Sequence, residues 1–156
     1  MLNVRISSRV FPRGFDISTP IESFSAKRIP LSLTGEILIS NLSGNQIARL
    51  ELESYIHKVY NIIITGDGFY QFNRDNKSKR TWTCKGEGKL LYISERRWRK
   101  FSISDGAQDI AACSKAWYAN DYTIRVFNDE DMKLVICIFV ALSVCEHQTT
   151  SAPISC

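Results

Sequence analysis

The stretch Met132-Lys-Leu-Val-Ile-Cys-Ile-Phe-Val-Ala-Leu-Ser-Val-Cys145 contains one charge and one hydroxyl in fourteen positions. On a helical wheel its apolar side chains point in every direction, so a helix built from it has no face for water. Three surroundings satisfy such a segment: a bilayer, a sheet that takes it in as a strand, or an enclosure made by its own chain. As a helix it is about 21 Å long, against the ~30 Å of hydrocarbon that a membrane span must cross. It is too short to cross. The β-branched run Val135-Ile-Cys-Ile-Phe-Val140 keeps a strand as the competing reading, but fourteen residues exceed the usual strand. The preceding Asn128-Asp-Glu-Asp offers a side-chain cap and acidic groups for the positive start of a helix. The segment predicts an enclosed helix over about residues 130–146.

What encloses it is written in the rest of the chain. From about Arg5 to Phe127 short β-prone runs follow one another, each bounded by Gly, Asn, Asp, Ser or Pro. The clearest are residues 15–19, 36–40, 46–53, 60–64, 69–73, 81–84, 89–94, 100–104 and 122–127. In one of them Ala48, Leu50 and Leu52 alternate with Ile47, Arg49 and Glu51, which gives one consistently apolar face. Turn signals at Ser43-Gly-Asn, Gly66-Asp-Gly, Asp105-Gly and Ala119-Asn-Asp recur at hairpin spacing and favour an antiparallel meander. A helix with its side chains is ~10–12 Å wide, too wide for the filled interior of an eight-stranded barrel. The expectation is therefore a mainly β protein: a closed antiparallel β-barrel of about 12 strands around a hydrophobic C-terminal α-helix. Closure also removes the open edges of a long meander.

At 156 residues, with 44% apolar and 23% charged positions, the chain has the composition of one globular domain. We place that domain at residues 1–148, with 149–156 as a tail. Cys84, Cys113, Cys137, Cys145 and Cys156 are odd in number and include no CxxC pair, so neither a zinc ribbon nor a redox motif is expected. Most of them read as small apolar residues in a reducing compartment. The start Met1-Leu-Asn-Val-Arg-Ile lacks a leader-length apolar run, and Cys156 stands too close to the end for prenylation. A cytoplasmic monomer without a membrane span is the expectation.

Catalytic patterns are missing from the sequence. There is no G-x-S-x-G, HExxH or P-loop, and neither His57 nor His147 is placed beside a nucleophile. Gly66-Asp-Gly68 and Gly86-Glu-Gly88 lack the following helix that a phosphate cradle requires, and read as turns. Glu51 and Glu53 share a strand face but read as ordinary exposed alternation. We expect no enzyme, no cofactor and no metal.

The string Ile110-Ala-Ala-Cys-Ser-Lys-Ala-Trp117, then Asp121-Tyr-Thr-Ile-Arg-Val, then Asp131-Met-Lys-Leu-Val-Ile-Cys resembles the tubby C-terminal-like superfamily. The resemblance is to its LURP-one-related family, whose fold phospholipid scramblases share. In that family a Ser/Thr-Lys-x-Trp strand precedes an Asp-x-Tyr strand and a long apolar C-terminal helix. It is strongest from Ile110 to His147 and runs more weakly back toward Phe15 through Leu42-Ser-Gly-Asn-Gln-Ile-Ala. It implies a twelve-stranded barrel threaded by the helix, with Lys115, Trp117, Asp121 and Tyr122 as structural signature residues. The family's aromatic-Ser-Trp-Gly-Asp turn is replaced here by Trp117-Tyr-Ala-Asn-Asp121. The basic pair that binds phosphoinositides in the tubby branch has no position matched in this chain.

Charge points to a partner. Between Arg74 and Lys100 ten basic residues face three acidic ones, a net +7, while the rest of the chain carries 10 − 13 = −3. Lys77, Lys79, Arg80, Arg96, Arg97, Arg99 and Lys100, with Trp98 among them, form the candidate site. Ammonium and guanidinium groups pair phosphate, and an indole tolerates a lipid interface. The competing explanation is a set of solvated, positive turns. With the resemblance, these residues suggest peripheral binding of anionic phospholipid, of phosphoinositide type, at the inner face of the plasma membrane. A protein-interaction or structural scaffold is the alternative. Nucleic-acid or transcription-related binding ranks third, because no base-reading helix or paired aromatic strand is evident.

Overall fold

The computed structural model describes residues 1–9, 14–29, 32, 35–54, 59–74, 80–97, 99–115 and 121–151. Twelve strands follow in chain order: β1 (Leu2–Arg9), β2 (Gly14–Ser18), β3 (Ser23–Arg28), β4 (Ile37–Asn41), β5 (Gln46–Ser54), β6 (Val59–Ile64), β7 (Gly68–Arg74), β8 (Thr81–Gly86), β9 (Lys89–Arg97), β10 (Lys100–Ser104), β11 (Asp109–Lys115) and β12 (Tyr122–Val126). Each pairs antiparallel with its sequence neighbours, and β1 returns to pair with β12 from Leu2↔Val126 to Ile6↔Tyr122. The sheet is a closed barrel.

Parity explains the interior. On β6 Tyr60, Ile62 and Ile64 are buried while Val59, Asn61 and Ile63 are only partly so, and β12 buries Tyr122, Ile124 and Val126 between exposed Thr123 and Arg125. The same period runs through Leu2, Val4 and Ile6 of β1. Alternation of this kind needs something apolar inside to bury against.

That something is α1 (Met132–Ser151), entered through a 3-10 turn at Asp129–Asp131. Asn128 caps the turn, its side chain accepting the Glu130 N–H, and Asp129, Glu130 and Asp131 occupy the first turn. Every residue from Leu134 to Cys145 is buried, so the helix is wrapped on all sides as its composition requires. Phe139 packs edge-on to Phe101 of β10 at 6.3 Å between ring centroids and lies 5.5 Å from Tyr122 of β12. The competing strand reading of this segment is overturned: it is helical, and fourteen residues laid out extended would overrun a barrel this short. Among the described residues no helix is long and apolar enough to cross a membrane.

The helix differs from its expected span of about 130–146. It starts at Met132 and runs to Ser151, taking in part of the expected tail; residues 152–156 lie outside the described residues. Helix propagation adds a hydrogen bond for each residue fixed, so the backbone can continue past the last apolar position that gave a sequence signal. Cys84, Cys113 and Cys137 are free, buried thiols, whereas Cys145, also buried, is disulfide-bonded and departs from the reading of plain core thiols. Burial pushes Cys84 up to about 12 and raises Cys137 as well, which keeps both neutral and unreactive.

Candidate functional site at the basic end of the barrel

A meander has two ends, and here they differ in charge. β12 runs from Tyr122 to Val126 and hands the chain to α1, so the Val126 end is where the helix enters and the Tyr122 end is where it leaves. At the exit end lie Lys27, Arg28, Arg74, Arg80, Arg96, Arg97, Arg99, Lys100 and Lys115, against Glu36, Glu53, Glu95 and Asp121. Among the described residues the entry end holds Glu22, Asp67, Glu87, Asp105, Asp109, Asp129, Glu130 and Asp131, against Lys85, Lys89, Arg125 and Lys133. This polarity matches the helix macrodipole, whose positive half-charge sits at the start and negative half-charge at the end. A dipole explains a bias, at roughly 0.3–1 kcal/mol for each nearby charge. It does not explain why basic residues are set side by side.

The β9–β10 hairpin does set them side by side. Its register places Lys100 opposite Arg97, and both are exposed. Like charges directly across a strand pair repel, at a cost of roughly 0.2–1 kcal/mol. Neither has an ion-pair partner among the described residues. The turn between them is anchored from two sides. Arg99 sits at a left-handed φ of 60°, a conformation uncommon for a side-chain-bearing residue. Its N–H donates to Glu95 Oε1 at 3.3 Å, and its carbonyl accepts the Lys115 N–H at 2.8 Å. Glu95, mostly buried, also takes a guanidinium N–H of Arg80 at 2.8 Å. One carboxylate thus ties the start of β8 to the hairpin.

Of the residues expected at the site, the structure brings together Arg80, Arg96, Arg97, Arg99 and Lys100 on adjoining strands β8, β9 and β10. Lys77, Lys79 and Trp98 lie outside the described residues. Arg96 is drawn along the barrel wall toward Asp109 of the entry end, 3.4 Å away, and Arg80 is committed to Glu95, so of these five Arg97 and Lys100 are the cations most free to meet an external anion. Lys85 and Lys89, which swelled the basic count between Arg74 and Lys100, belong to the opposite end.

Two members of the rim were not singled out from the sequence as site residues. Arg74 ends β7 beside β8, and Lys115 ends β11 beside the Arg99 turn, its ammonium 5.7 Å from the centre of the Tyr122 ring. The meander order is the signal that reveals them, because strand ends two apart in sequence order share one rim. Of the residues the resemblance marked as structural, Tyr122 is fully buried and packs on Phe139, and Asp121 pairs with Arg5 at 3.8 Å. Trp117 lies outside the described residues.

The alternatives for chemistry resolve locally. Glu51 pairs with Arg49 at 3.1 Å and Glu53 accepts from the Gln71 amide, so neither stands as a free cation ligand. Gly86-Glu-Gly88 closes the β8–β9 hairpin, with Glu87 and Gly88 both at positive φ, as a two-residue turn requires. Gly66-Asp-Gly68 likewise joins β6 to β7. His57 lies outside the described residues, as does the side chain of His147.

No family model matches the chain, and no curated protein matches it. Among solved structures, the X-ray structure of the Arabidopsis thaliana protein AT5G01750 is similar, with a TM-score of 0.68 over 93% of this chain and 91% of that one, at 12% identity. At that identity the likeness is one of fold.

Proposed function

We propose that this protein is a non-enzymatic barrel of the tubby-like, LURP-one-related kind that docks on anionic phospholipid through its helix-exit end. The observation that carries the reading is the pair Arg97 and Lys100, held opposite each other and exposed on an anchored hairpin. A phosphate-bearing surface relieves their repulsion, whereas water only screens it. Arg74, Arg80, Arg99 and Lys115 on the neighbouring strand ends extend the same positive arc. Each basic group close to an anionic leaflet contributes about 1 kcal/mol, so four to six acting together hold a protein reversibly. The resemblance of the C-terminal third to the tubby-like superfamily and the shared fold of the Arabidopsis protein support the placement. The site of action in this reading is the cytoplasmic face of a membrane.

Co-sedimentation with vesicles of phosphatidylcholine alone, with added phosphatidylserine, and with added phosphoinositide tests it. Binding should appear only with anionic lipid and weaken as salt rises, since screening shortens the reach of exposed charges. Arg97→Gln with Lys100→Gln should lower affinity by about 30-fold, the equivalent of about 2 kcal/mol. No binding at low salt, or binding indifferent to that double substitution, would refute the proposal.

A further inference from the structure

The helix-entry end carries a cleft of about 720 Å³, a volume in the range of ligand sites. Its walls are the start of β9, the β10–β11 hairpin and the junction of β12 with the helix. Three of the chain's exposed large apolar side chains, Leu90, Tyr92 and Phe127, line it together. Scattered singly such residues need no explanation, but gathered on one cleft they mark an interaction surface. Between them stand three carboxylates, Asp105, Asp109 and Asp131, against one cation of the lining, Lys89. Asp105 receives the N–H groups of Ala107 and Gln108 on one carboxylate oxygen, both at 2.9 Å, and these bonds hold its carboxyl below the usual range. Asp109 is occupied by a surface pair with Arg96 at 3.4 Å, of the kind worth little in water and readily exchanged, while the largely buried Asp131 pairs with Lys89 at 3.7 Å.

The strand register adds a third element. The Glu95 N–H donates to Arg80 on β8, so alternate residues of β9 turn their backbone groups toward β8, and Leu90, Tyr92 and Ser94 turn theirs toward β10. Yet β10 ends at Ser104, opposite Tyr92. The N–H and C=O of Leu90 therefore face the cleft with no strand across from them.

We propose that this cleft is a docking site for an extended, basic segment of a partner protein: the open backbone of Leu90 meets the peptide main chain, Tyr92 and Phe127 take an apolar side chain, and the carboxylates take Lys or Arg. A lone cation would leave the aromatic walls unused, and an acidic partner would meet three carboxylates. The site lies at the end of the barrel opposite Arg97 and Lys100, so a protein resting on lipid by its basic end presents the cleft to the interior.

Fluorescence anisotropy with a labelled peptide alternating Arg and Leu, in the absence of lipid, tests this, with a Glu–Leu peptide and a Lys-only peptide as comparisons. The Arg–Leu peptide should bind saturably and the other two at least about tenfold more weakly. Tyr92→Ala and the pair Asp109→Asn with Asp131→Asn should each cost about tenfold or more, while Arg97→Gln with Lys100→Gln leaves binding unchanged. Leu90→Pro removes the open donor without touching a ladder bond, and should weaken binding in a protein whose thermal unfolding is cooperative. Equal binding of the Lys-only peptide, or binding unmoved by Tyr92→Ala, overturns the proposal. Sedimentation showing self-association that Tyr92→Ala abolishes overturns it too, since the occupant is then a second copy of this chain.

Discussion

Phe139→Ala probes the interior of the barrel. Phe139 is fully buried on α1 and touches Phe101 and Tyr122, with ring centroids 6.3 and 5.5 Å away. Phe101 in turn lies 6.2 Å from Trp82 of β8 and 6.1 Å from Tyr122, so the helix ring completes an aromatic cluster on three alternate strands. Truncating a buried Phe costs about 3–5 kcal/mol, through lost transfer energy and the cavity left behind. How much of the cavity term survives depends on whether the surroundings can collapse. A closed barrel in which every strand is hydrogen-bonded on both sides collapses poorly, which places the expected loss near the top of that range, at about 4–5 kcal/mol. With a urea slope of about 2–3 kcal/mol per molar for a chain of this size, the unfolding midpoint should fall by roughly 1.3–2.5 M. Phe139→Ala with Phe101→Ala should cost less than the sum of the singles, by about 0.5–1.5 kcal/mol for the ring pair. A loss below about 1 kcal/mol for Phe139→Ala would show that the helix does not fill the barrel, and the fold described would be wrong. Val140→Asp, which buries an unpaired carboxylate at a fully enclosed position, should leave no cooperatively folded protein.

Gly86→Ala should lower stability by several kcal/mol in the same urea assay, because a methyl there would lie 2.2 Å from the Phe69 carbonyl oxygen and 2.8 Å from the Tyr70 Cα, backbone atoms that cannot step aside. Glu95→Gln should cost about 1–2 kcal/mol by weakening the tie to Arg80 and the Arg99 N–H, and should at the same time tighten vesicle binding, since it removes a negative charge from the basic rim. Stability should fall in alkali. Cys84 is raised from its ordinary 9.0 to about 12 and Cys137 is raised too, so the folded protein keeps protons that the unfolded chain releases. The contribution is whole below pH 9 and declines as pH climbs from 9 toward 12, at about 1.4 kcal/mol per pH unit for each thiol, and Cys84→Ala should flatten the slope measured by urea unfolding.

The enclosed helix was legible because its composition allows so few surroundings: with no polar face, length alone separates a cage from a bilayer. The barrel followed from that helix and from alternation in strands such as β5 and β6. What stayed hidden were strands whose own pattern is thin. β3 has only Phe24 and Ala26 pointing inward, too little apolar content to announce itself, and it is a strand because closure needs one there. β1 has clear alternation in Leu2, Val4 and Ile6, but nothing local tells an N-terminal segment that its second partner is 120 residues away at β12. The helix end at Ser151 was also beyond reach, because a helix past its last apolar residue carries no periodic signal.

For the candidate site, the basic residues could be read but their neighbours could not. Arg80 and Glu95 are fifteen residues apart and share a 2.8 Å contact only because β8 and β9 pair in one register. The same pairing splits Lys85 and Lys89 from the cluster, since a hairpin sends residues a few positions apart to the far end of a strand. The cleft was invisible for a related reason: it exists where β10 stops short of β9, and strand lengths are set by turns and partners as much as by the strand's own residues.

The proposed function requires an electrically polar barrel that meets anionic lipid with one end. It is tested most directly by moving the same charge change between ends. Arg97→Glu with Lys100→Glu alters the helix-exit end, and Lys85→Glu with Lys133→Glu alters the entry end by an equal net charge. In co-sedimentation with phosphatidylserine and phosphoinositide vesicles at low salt, the exit-end variant should lose binding by more than about 30-fold, while the entry-end variant binds like the unaltered protein. Equal losses in both would mean that only net charge matters, and the polarity of the barrel would have no part in its function.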